Sequence, residues 1–346
     1  MKIGFIAMSG IRACDPELLE LGLTLPGFVE RSKQIASLPS LGLLTLAGLT
    51  PKHHDVQYRE IPDLAAEEGP LESFDLVAIS SYSAQIDEAY ELAARYRAGG
   101  TPAVMGGPHV TALPHEARKY GTSVILGEGE PVWLEVLDDA ENDRLKLIYD
   151  ARGRAFSLDD APMPAYELLD IDKYNRITVQ TSRGCPHNCE FCAGSNLICD
   201  HYKQKPVEKV LAEVDRICSI WPRPFIEFAD DNSFVNKAYW KRLLPELKKR
   251  KIKWFTETDL SVAEDPELLA LMRESGCAQV LIGLESPTLD PLDGLELNTN
   301  WKQARFAQYK DAVRTIQSHG VTVNGCFIIG LDGQTSRVFD DIHAFV

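Results

Sequence analysis

The chain predicts an α/β protein in two successive blocks, an open parallel sheet flanked by helices and then a partial barrel of parallel strands. Three observations predict it. Short β-rich runs alternate with runs of helical spacing through both halves of the 346 residues. A proline-bearing segment, Leu158-Asp-Asp-Ala-Pro-Met-Pro164, favours extended chain and separates the halves. Glycines and acids gather at the carboxyl ends of the expected strands, where parallel sheets hold ligands.

In the first half, strands are expected at 2–8, 56–61, 76–82, 103–105 and 123–126. A helix over 84–97 follows from the spacing of Ile86, Ala89, Leu92 and Ala93 and stops at Gly99-Gly100. Residues 131–139 form another short helix. Residues 144–154 are compatible with a hairpin around Asp150-Ala-Arg-Gly153. These assignments give a first domain over 1–140, a linker over 141–176 and a second domain over 177–346.

In the second half, a strand at 178–181 runs straight into a cysteine-rich loop. A helix over 206–221 carries Val207, Val210, Leu211, Val214, Ile217 and Cys218 at the 3.6-residue period of a core-facing helix. Strands at 225–228, 253–257, 279–284 and 322–329 alternate with helices at 237–249, 266–275 and 301–319. Asp265, Pro266 and Gly276 are start and stop signals for the third of these four helices. A long polar loop covers 286–300. The last helix begins near Thr335, and its apolar positions Val338, Ile342, Phe345 and Val346 carry no cap signal. Five βα repeats do not close a barrel, so the expectation is a chain truncated before its sixth strand.

Composition removes several function classes. The longest apolar stretch, 41–49, is interrupted by Gly42, Thr45 and Gly48 and falls far short of the about 20 residues of a spanning helix. The amino terminus reads as a first strand and not as a signal peptide, which points to a cytoplasmic protein. A net charge of −15 argues against a nucleic-acid partner. The one basic run, Lys248-Lys249-Arg250-Lys251, ends a helical pattern and reads as cations answering the helix dipole. Eight cysteines in a chain of this length are too sparse for a disulfide scaffold and imply a reducing compartment.

Three of those cysteines crowd into Cys185-Pro-His-Asn-Cys189-Glu-Phe-Cys192. Thiolates suit iron–sulfur clusters and zinc. Three from one loop can hold three irons of a cube and leave the fourth open to a ligand. Zinc is the alternative, with His187 or His201 as the fourth ligand, and cysteines that merely pack are another.

Thr181-Ser-Arg-Gly-Cys185-Pro-His-Asn-Cys189-Glu-Phe-Cys192 resembles the cluster loop of the radical S-adenosylmethionine enzymes, whose pattern C-x3-C-x-aromatic-C it matches in full. The resemblance implies a 4Fe–4S cluster on Cys185, Cys189 and Cys192, with Phe191 covering the cluster or an adenine ring. Three later segments resemble that family's S-adenosylmethionine contacts in order and spacing. Ala229-Asp230-Asp231-Asn232-Ser233-Phe234 resembles the segment that meets the methionine amino group, although Asp231 and Asn232 read equally well as helix caps. Ile282-Gly283-Leu284-Glu285-Ser286 resembles the ribose and carboxylate contact, and Gly325-Cys-Phe-Ile-Ile-Gly330 the adenine side. The implied chemistry is one-electron cleavage of S-adenosylmethionine to methionine and a 5′-deoxyadenosyl radical, fed by a reductase or flavodoxin-type electron donor.

The first half carries a second set of small residues at strand ends: Ser80-Ser81-Tyr82, Gly106-Gly107-Pro-His109 and Gly127-Glu128-Gly129-Glu130. Taken alone they mark either a ligand edge or turn glycines. Ahead of the cysteine triplet they resemble the branch of the same family with an N-terminal Rossmann-like cobalamin-binding domain. The resemblance implies cobalamin near Ser80, Ser81, Gly106, Gly107, His109, Gly127 and Glu128. One departure is that the loop Ser9-Gly-Ile-Arg-Ala-Cys14-Asp15 lacks the Asp-x-His-x-x-Gly sequence that offers an axial histidine in many cobalamin proteins. His53 and His54 read as loop residues and not ligands. Cys14 and Cys199 have no readable role, Cys218 and Cys277 read as packing, and Cys326 lies near the adenosine side. The resemblance implies methylation of an unactivated carbon or phosphorus in a small-molecule substrate. The alternatives are a radical cyclase or rearrangement enzyme on the same scaffold, or, from another class, a zinc-stabilised binding or scaffold protein.

Overall fold

The computed structural model describes residues 1–8, 38–67, 71–194, 199 and 201–346. The chain divides into two compact units, Met1–Ile177 and Thr178–Val346. Among the described residues no helix is long and apolar enough to cross a membrane.

Among the described residues the first unit has six strands: β1 (Lys2–Met8), β2 (Asp55–Glu60), β3 (Leu76–Ser81), β4 (Ala103–Gly106), β5 (Ser123–Leu126) and β6 (Ile148–Asp150). Their order is β2-β1-β3-β4-β5-β6, all parallel. Its helices are α1 (Leu41–Leu49), α2 (Ile86–Ala98), α3 (Pro108–Ala112), α4 (Pro114–Ala117) and α5 (Glu130–Glu141). Because side chains alternate along a strand, β1 feeds two cores. Ile3, Phe5 and Ala7 face α1 and α5, packing with Leu43, Ala47, Val132, Trp133 and Val136. Ile6 and Met8 face α2, packing with Ala89, Leu92 and Ala93. A sheet covered on both faces needs near-continuous apolar strands, and β1 is one.

Two expectations change here. The segment compatible with a hairpin is instead β6, which extends the sheet in parallel register, Val124 on Ile148 and Leu126 on Asp150. Tyr149 drives this: its ring is buried and its hydroxyl donates to Asp139 on α5 at 2.8 Å. The expected linker 141–176 therefore belongs to the first unit. The interrupted apolar stretch 41–49 is a helix, α1, started by Ser40, whose hydroxyl accepts from the Leu43 amide. Being apolar nearly all round, it shows no amphipathic period to read. The chain after β6 crosses it closely, with the Ala165 amide donating to the Leu44 carbonyl at 2.9 Å.

The second unit carries β7 (Ile177–Val179), the short antiparallel pair β8 (Ser182–Arg183) and β9 (Lys203–Gln204), β10 (Phe225–Phe228), β11 (Lys253–Thr258), β12 (Cys277–Glu285) and β13 (Thr322–Phe327). The main sheet runs β13-β12-β11-β10-β7, so each strand lies beside its sequence neighbour. Helices α6 (Val207–Ile220), α7 (Lys237–Arg250), α8 (Pro266–Ser275), α9 (Trp301–Arg305), α10 (Tyr309–Ser318) and α11 (Val338–Phe345) follow the strands. The expected partial barrel is this winding. Trp240 of α7 anchors it, packed against Phe228, Phe234 and Trp254 at ring separations of 4.8–5.8 Å. The expected helix over 301–319 is broken: a 3-10 turn, Phe306–Gln308, separates α9 from α10. The Tyr309 hydroxyl donates to the Lys302 carbonyl at the break, at 3.3 Å.

Two glycines of α1 separate a packing role from a helical one. A β-carbon at Gly48 would stand 2.0 Å from the Met163 carbonyl oxygen, whereas one at Gly42 meets nothing within 4 Å. Gly48→Ala should destabilise the protein by about 3 kcal/mol. Gly42→Ala should stabilise it by about 0.5–1 kcal/mol. Urea unfolding of both variants checks the pair; equal effects would mean the crossing chain does not press on α1.

Candidate functional site

Among its described residues the cysteine loop has little regular structure, and several carboxylates grip it. The β8–β9 pair closes its base, with Ser182 opposite Gln204 and Arg183 opposite Lys203. Asp230, just past β10, is 2% exposed. Its Oδ1 accepts from the amides of Thr181 and Ser182 at 2.7 and 2.9 Å. Its Oδ2 accepts from the hydroxyls of Thr181 and Ser233 at 2.5 and 2.9 Å. A carboxylate has about four acceptor positions, and all are taken. Burial pushes this carboxyl up in pKa, and those donors pull against it. Asp230 is thus an internal clamp, which corrects the expectation that it meets a methionine amino group.

Three more carboxylates hold the loop further along. Asp231 is exposed, and its Oδ2 accepts from the Gly184 amide at 2.8 Å. Asp259, just past β11, lies 3.1 Å from Nε2 of His187, whose ring packs on Trp301 with centroids 4.7 Å apart. Asn232 donates to the same Asp259 oxygen at 2.7 Å and stands 3.9 Å from Cys185 Sγ, so it is not the cap its type suggested. Burial alone would raise the Asp259 carboxyl; bonds from His187, Ser261 and Asn232 outweigh it and hold it well below the usual range. Glu296, 2% exposed, accepts from the Asn188 amide at 3.1 Å. It also accepts from the Asn298 and Thr299 amides at 3.1 and 2.8 Å. Backbone bonds Glu190 to Leu295 and Leu297 to Asn188 knit the two loops together. Burial pushes the Glu296 carboxyl up, but the amides of Thr299 and Asn188 lower it to about 2.

Cys185 and Cys192 both lie near enough to Cys189 to act on its thiol. Burial raises Cys189 to about 11; Lys302 pulls against it, and Cys185, Cys192 and Glu285 add to the rise. Burial likewise raises Cys185. A single zinc would draw its thiolates to within about 4 Å of each other. Among the described residues the one His/Cys/Asp/Glu group with ligand atoms all within 4.8 Å is His53, His54 and Glu141, so the triplet is spread wider than a single ion requires. With Nε2 of His187 committed to Asp259, the geometry fits a cluster better than zinc. Phe191 stands beside Cys192, 48% exposed.

Glu285 ends β12 at a register shift against β13, with φ +63. It pairs with Lys302, whose ammonium donates to Glu285 Oε1 at 2.5 Å and to the Gly283 carbonyl at 2.8 Å. Both side chains are buried. Lys302 is a site residue that sequence reasoning missed, since it sat at an ordinary polar position of an expected helix. Glu257 of β11 was missed too. It touches solvent, yet burial and the like charges of Glu227, Asp231 and Asp230 push it up to about 7. Gly325 stands on β13 against Leu284, and Gly330 follows that strand. Cys326 is raised by burial and by Glu257 and Glu285.

In the first unit the ends of β3, β4 and β5 form one edge. Gly107 has φ +107, and a β-carbon there would stand 3.3 Å from Ser80 Oγ. Thr111 ties two strand ends, donating to the Gly107 carbonyl at 2.9 Å and accepting from the Gly127 amide at 3.0 Å. Ser81 is buried and donates to the Tyr82 carbonyl. His109 Nδ1 lies 3.0 Å from Ser83 Oγ and pins α3 to the turn after β3. That leaves Ser80, Gly106 and Gly127 on an edge whose side chains are no larger than hydroxymethyl, with Glu128 half-buried beside it and Tyr82 57% exposed. Such an edge admits a bulky ligand against the backbone. The loop 9–15 and Cys14 lie outside the described residues. Of the other cysteines, Cys277 is buried, Cys218 half-buried, and Cys199 donates to the His201 carbonyl.

Residues 179–346 match the radical SAM superfamily and residues 36–137 match a B12 binding domain. The chain is 31% identical over 318 residues to an uncharacterized methyltransferase of Synechocystis sp., covering 89% of this chain and 58% of that protein. It is 30% identical over 328 residues to hopanoid C-2 methylase of Rhodopseudomonas palustris, covering 90% and 60%. The chain thus spans less than two thirds of the length of either. Its fold is similar to that of the radical S-adenosylmethionine methyltransferase TsrM from Kitasatospora setae, with a TM-score of 0.73 and 16% identity over 100% of this chain and 71% of that one.

Two measurements test the grip on the loop. Asp230→Asn leaves a buried donor without its acceptor and should cost about 1–3 kcal/mol. It should also lower the iron retained after anaerobic reconstitution; full loading at unchanged stability would refute the clamp. Glu296 has a folded pKa of about 2, below its unfolded value. Its stabilising contribution is therefore complete above about pH 5 and is lost as the pH falls toward about 2. Urea unfolding across that window should show an acid-side loss that Glu296→Gln flattens.

Proposed function

We propose that this chain, which belongs to the radical SAM superfamily and carries a B12-binding domain, methylates an unactivated carbon of a small-molecule substrate in a cobalamin-dependent reaction. The observation that carries the reading is the cysteine triplet, Cys185, Cys189 and Cys192, on a loop gripped by four carboxylates. When bound, a reduced 4Fe–4S cluster supplies reductive cleavage of S-adenosylmethionine and cobalamin supplies methyl transfer.

The chain's own residues bind and orient. Cys185, Cys189 and Cys192 would hold the cluster. Asp231, with one oxygen on Gly184, offers the other to the ammonium of S-adenosylmethionine. Glu285, aimed by Lys302, is placed for the ribose or carboxylate side, and the Gly325–Gly330 segment for the adenine side. Phe191 covers the adenine from the loop. In the first unit Ser80, Gly106 and Gly127 receive the cobalamin nucleotide tail against the backbone, while His109 and Thr111 keep those strand ends in place. The thiols require a reducing, cytoplasmic setting and a reductase or flavodoxin-type electron donor. Carbon is favoured over phosphorus by the relative named as a hopanoid C-2 methylase.

Anaerobic reconstitution with iron, sulfide and cobalamin, followed by metal analysis and electron paramagnetic resonance, tests the reading. The expected result is about four irons and one cobalt per chain, with Cys185→Ala losing the iron and keeping the cobalt. Supplied with reductant, the loaded protein should convert S-adenosylmethionine to methionine and 5′-deoxyadenosine. A colourless protein holding one zinc and no iron would falsify it. Label from the S-adenosylmethionine methyl group appearing in product separates methylation from radical cyclisation.

A further inference from the structure

We propose that His53, His54 and Glu141 form a binding site for a first-row divalent transition metal of the zinc class, separate from the cysteine loop. Nε2 of His53 lies 3.5 Å and Nε2 of His54 lies 3.7 Å from the same oxygen of Glu141. All three ligand atoms fall within 4.8 Å of one another. Zinc bonds to nitrogen and oxygen of about 2.0–2.1 Å set tetrahedral neighbours about 3.3 Å apart, so a small contraction closes the set. Two imidazoles and one carboxylate select zinc, cobalt or nickel over calcium or magnesium, which prefer oxygen alone.

The site is preorganised by its supports. His53 and His54 occupy the turn between α1 and β2, fixed by the His54 amide donating to the Pro51 carbonyl at 3.1 Å. Glu141 is the last residue of α5. Trp133 of α5 donates to the Thr50 hydroxyl at the end of α1 at 2.8 Å, a buried bond that locks the two helices together. The His54 side chain is 2% exposed, and its ring packs on His53 with centroids 4.0 Å apart. The Met1 nitrogen lies 3.3 Å from His54 Nδ1; metal binding at Nε2 requires it as the neutral amine accepting from Nδ1–H, so binding releases a proton.

Part of the local field favours a cation, set against the Met1 amino group beside the His54 ring. Two helices, α1 and α5, end at this place, and neither has a basic residue in its last turn. Their carboxyl ends carry partial negative charge, to which Glu141 adds a full one. A metal here would staple the α1–β2 turn to the end of α5. Because His54 directly precedes β2, the site sits at the amino edge of the parallel sheet, opposite the edge formed by Ser80, Gly106 and Gly127. It is therefore a structural or regulatory site and no part of the cofactor edge.

The test uses the full chain with its iron–sulfur cluster reconstituted, so that the triplet is occupied, and titrates zinc chloride by calorimetry. A saturable single equivalent is expected, with a rise in melting temperature. His53→Ala and Glu141→Ala, both at solvent-reached positions, should each weaken binding at least about tenfold and abolish the rise. Cobalt in place of zinc should add, in the difference spectrum against the cobalt-free cluster-loaded chain, d–d bands without a new thiolate charge-transfer band. No saturable uptake beyond the cluster, uptake unchanged in both variants, or a new thiolate band would each overturn the proposal. None of these outcomes bears on the cluster itself, whose iron content is measured separately.

Discussion

The Asp230 carboxylate is the interaction on which the second unit's site depends. The chain leaves β7 and within a few residues must present three thiols from a loop that, among its described residues, makes few backbone bonds of its own. Ordering such a segment costs about 1–2 kcal/mol per residue in backbone entropy. Asp230 meets part of that cost where the loop begins, by accepting from two successive amides and two hydroxyls at once. Its neighbour Ser233 bonds on to Thr256, which bonds to the Phe228 carbonyl, so the clamp is itself anchored across β10 and β11. Asp231, Asp259 and Glu296 then repeat the device at Gly184, His187 and Asn188. Four carboxylates from three different places in the chain fix the loop before any metal arrives.

The same carboxylates make the site electrostatically hungry. Cys185, Cys189 and Cys326 are all raised, with burial as the leading cause and neighbouring acids adding to it. Burial and the like charges of Glu227, Asp231 and Asp230 push Glu257 up to about 7. Lys302 is the cation that works against this rise at Cys189. A site that disfavours its own thiolates gains most when a positively charged iron centre takes them, and it releases protons as it does so. An excess of acid beside the triplet also suits a ligand that brings a sulfonium and an ammonium.

Much of this was legible in the sequence, for definite reasons. β1, β5, β10 and α8 carry their own signals: short runs rich in apolar β-formers in the strands, and Asp265, Pro266 and Gly276 around the helix. The triplet was legible because its ligands are local. What was hidden depends on residues far apart in sequence. Nothing at Asp230 announces that Thr181, 49 residues earlier, will occupy it, so a clamp was read as a ligand contact. Tyr149 becomes a strand residue only because β5 leaves an open edge and Asp139 awaits its hydroxyl. α1 was unreadable because a helix apolar on nearly every side has no period.

Lys302 shows how one such long-range demand reshapes local structure. The amphipathic pattern of 301–319 calls for a continuous helix, and the intrinsic preference of the segment agrees. Yet the Lys302 ammonium reaches inward to Gly283 and Glu285, and the Tyr309 hydroxyl occupies the Lys302 carbonyl. The ladder gives way to a 3-10 turn over Phe306–Gln308. On the other side, β12 shifts register and Glu285 adopts a left-handed backbone that non-glycine residues rarely hold. Two elements thus each give up regular geometry at the same contact. Local strain of this kind persists only where surrounding structure over-determines it. Here a buried ion pair beside Cys189 does so, and removing either partner would strand the other charge in the interior. The helix break, the bulge and the strained glutamate are three consequences of one requirement, a fixed cation next to the thiols.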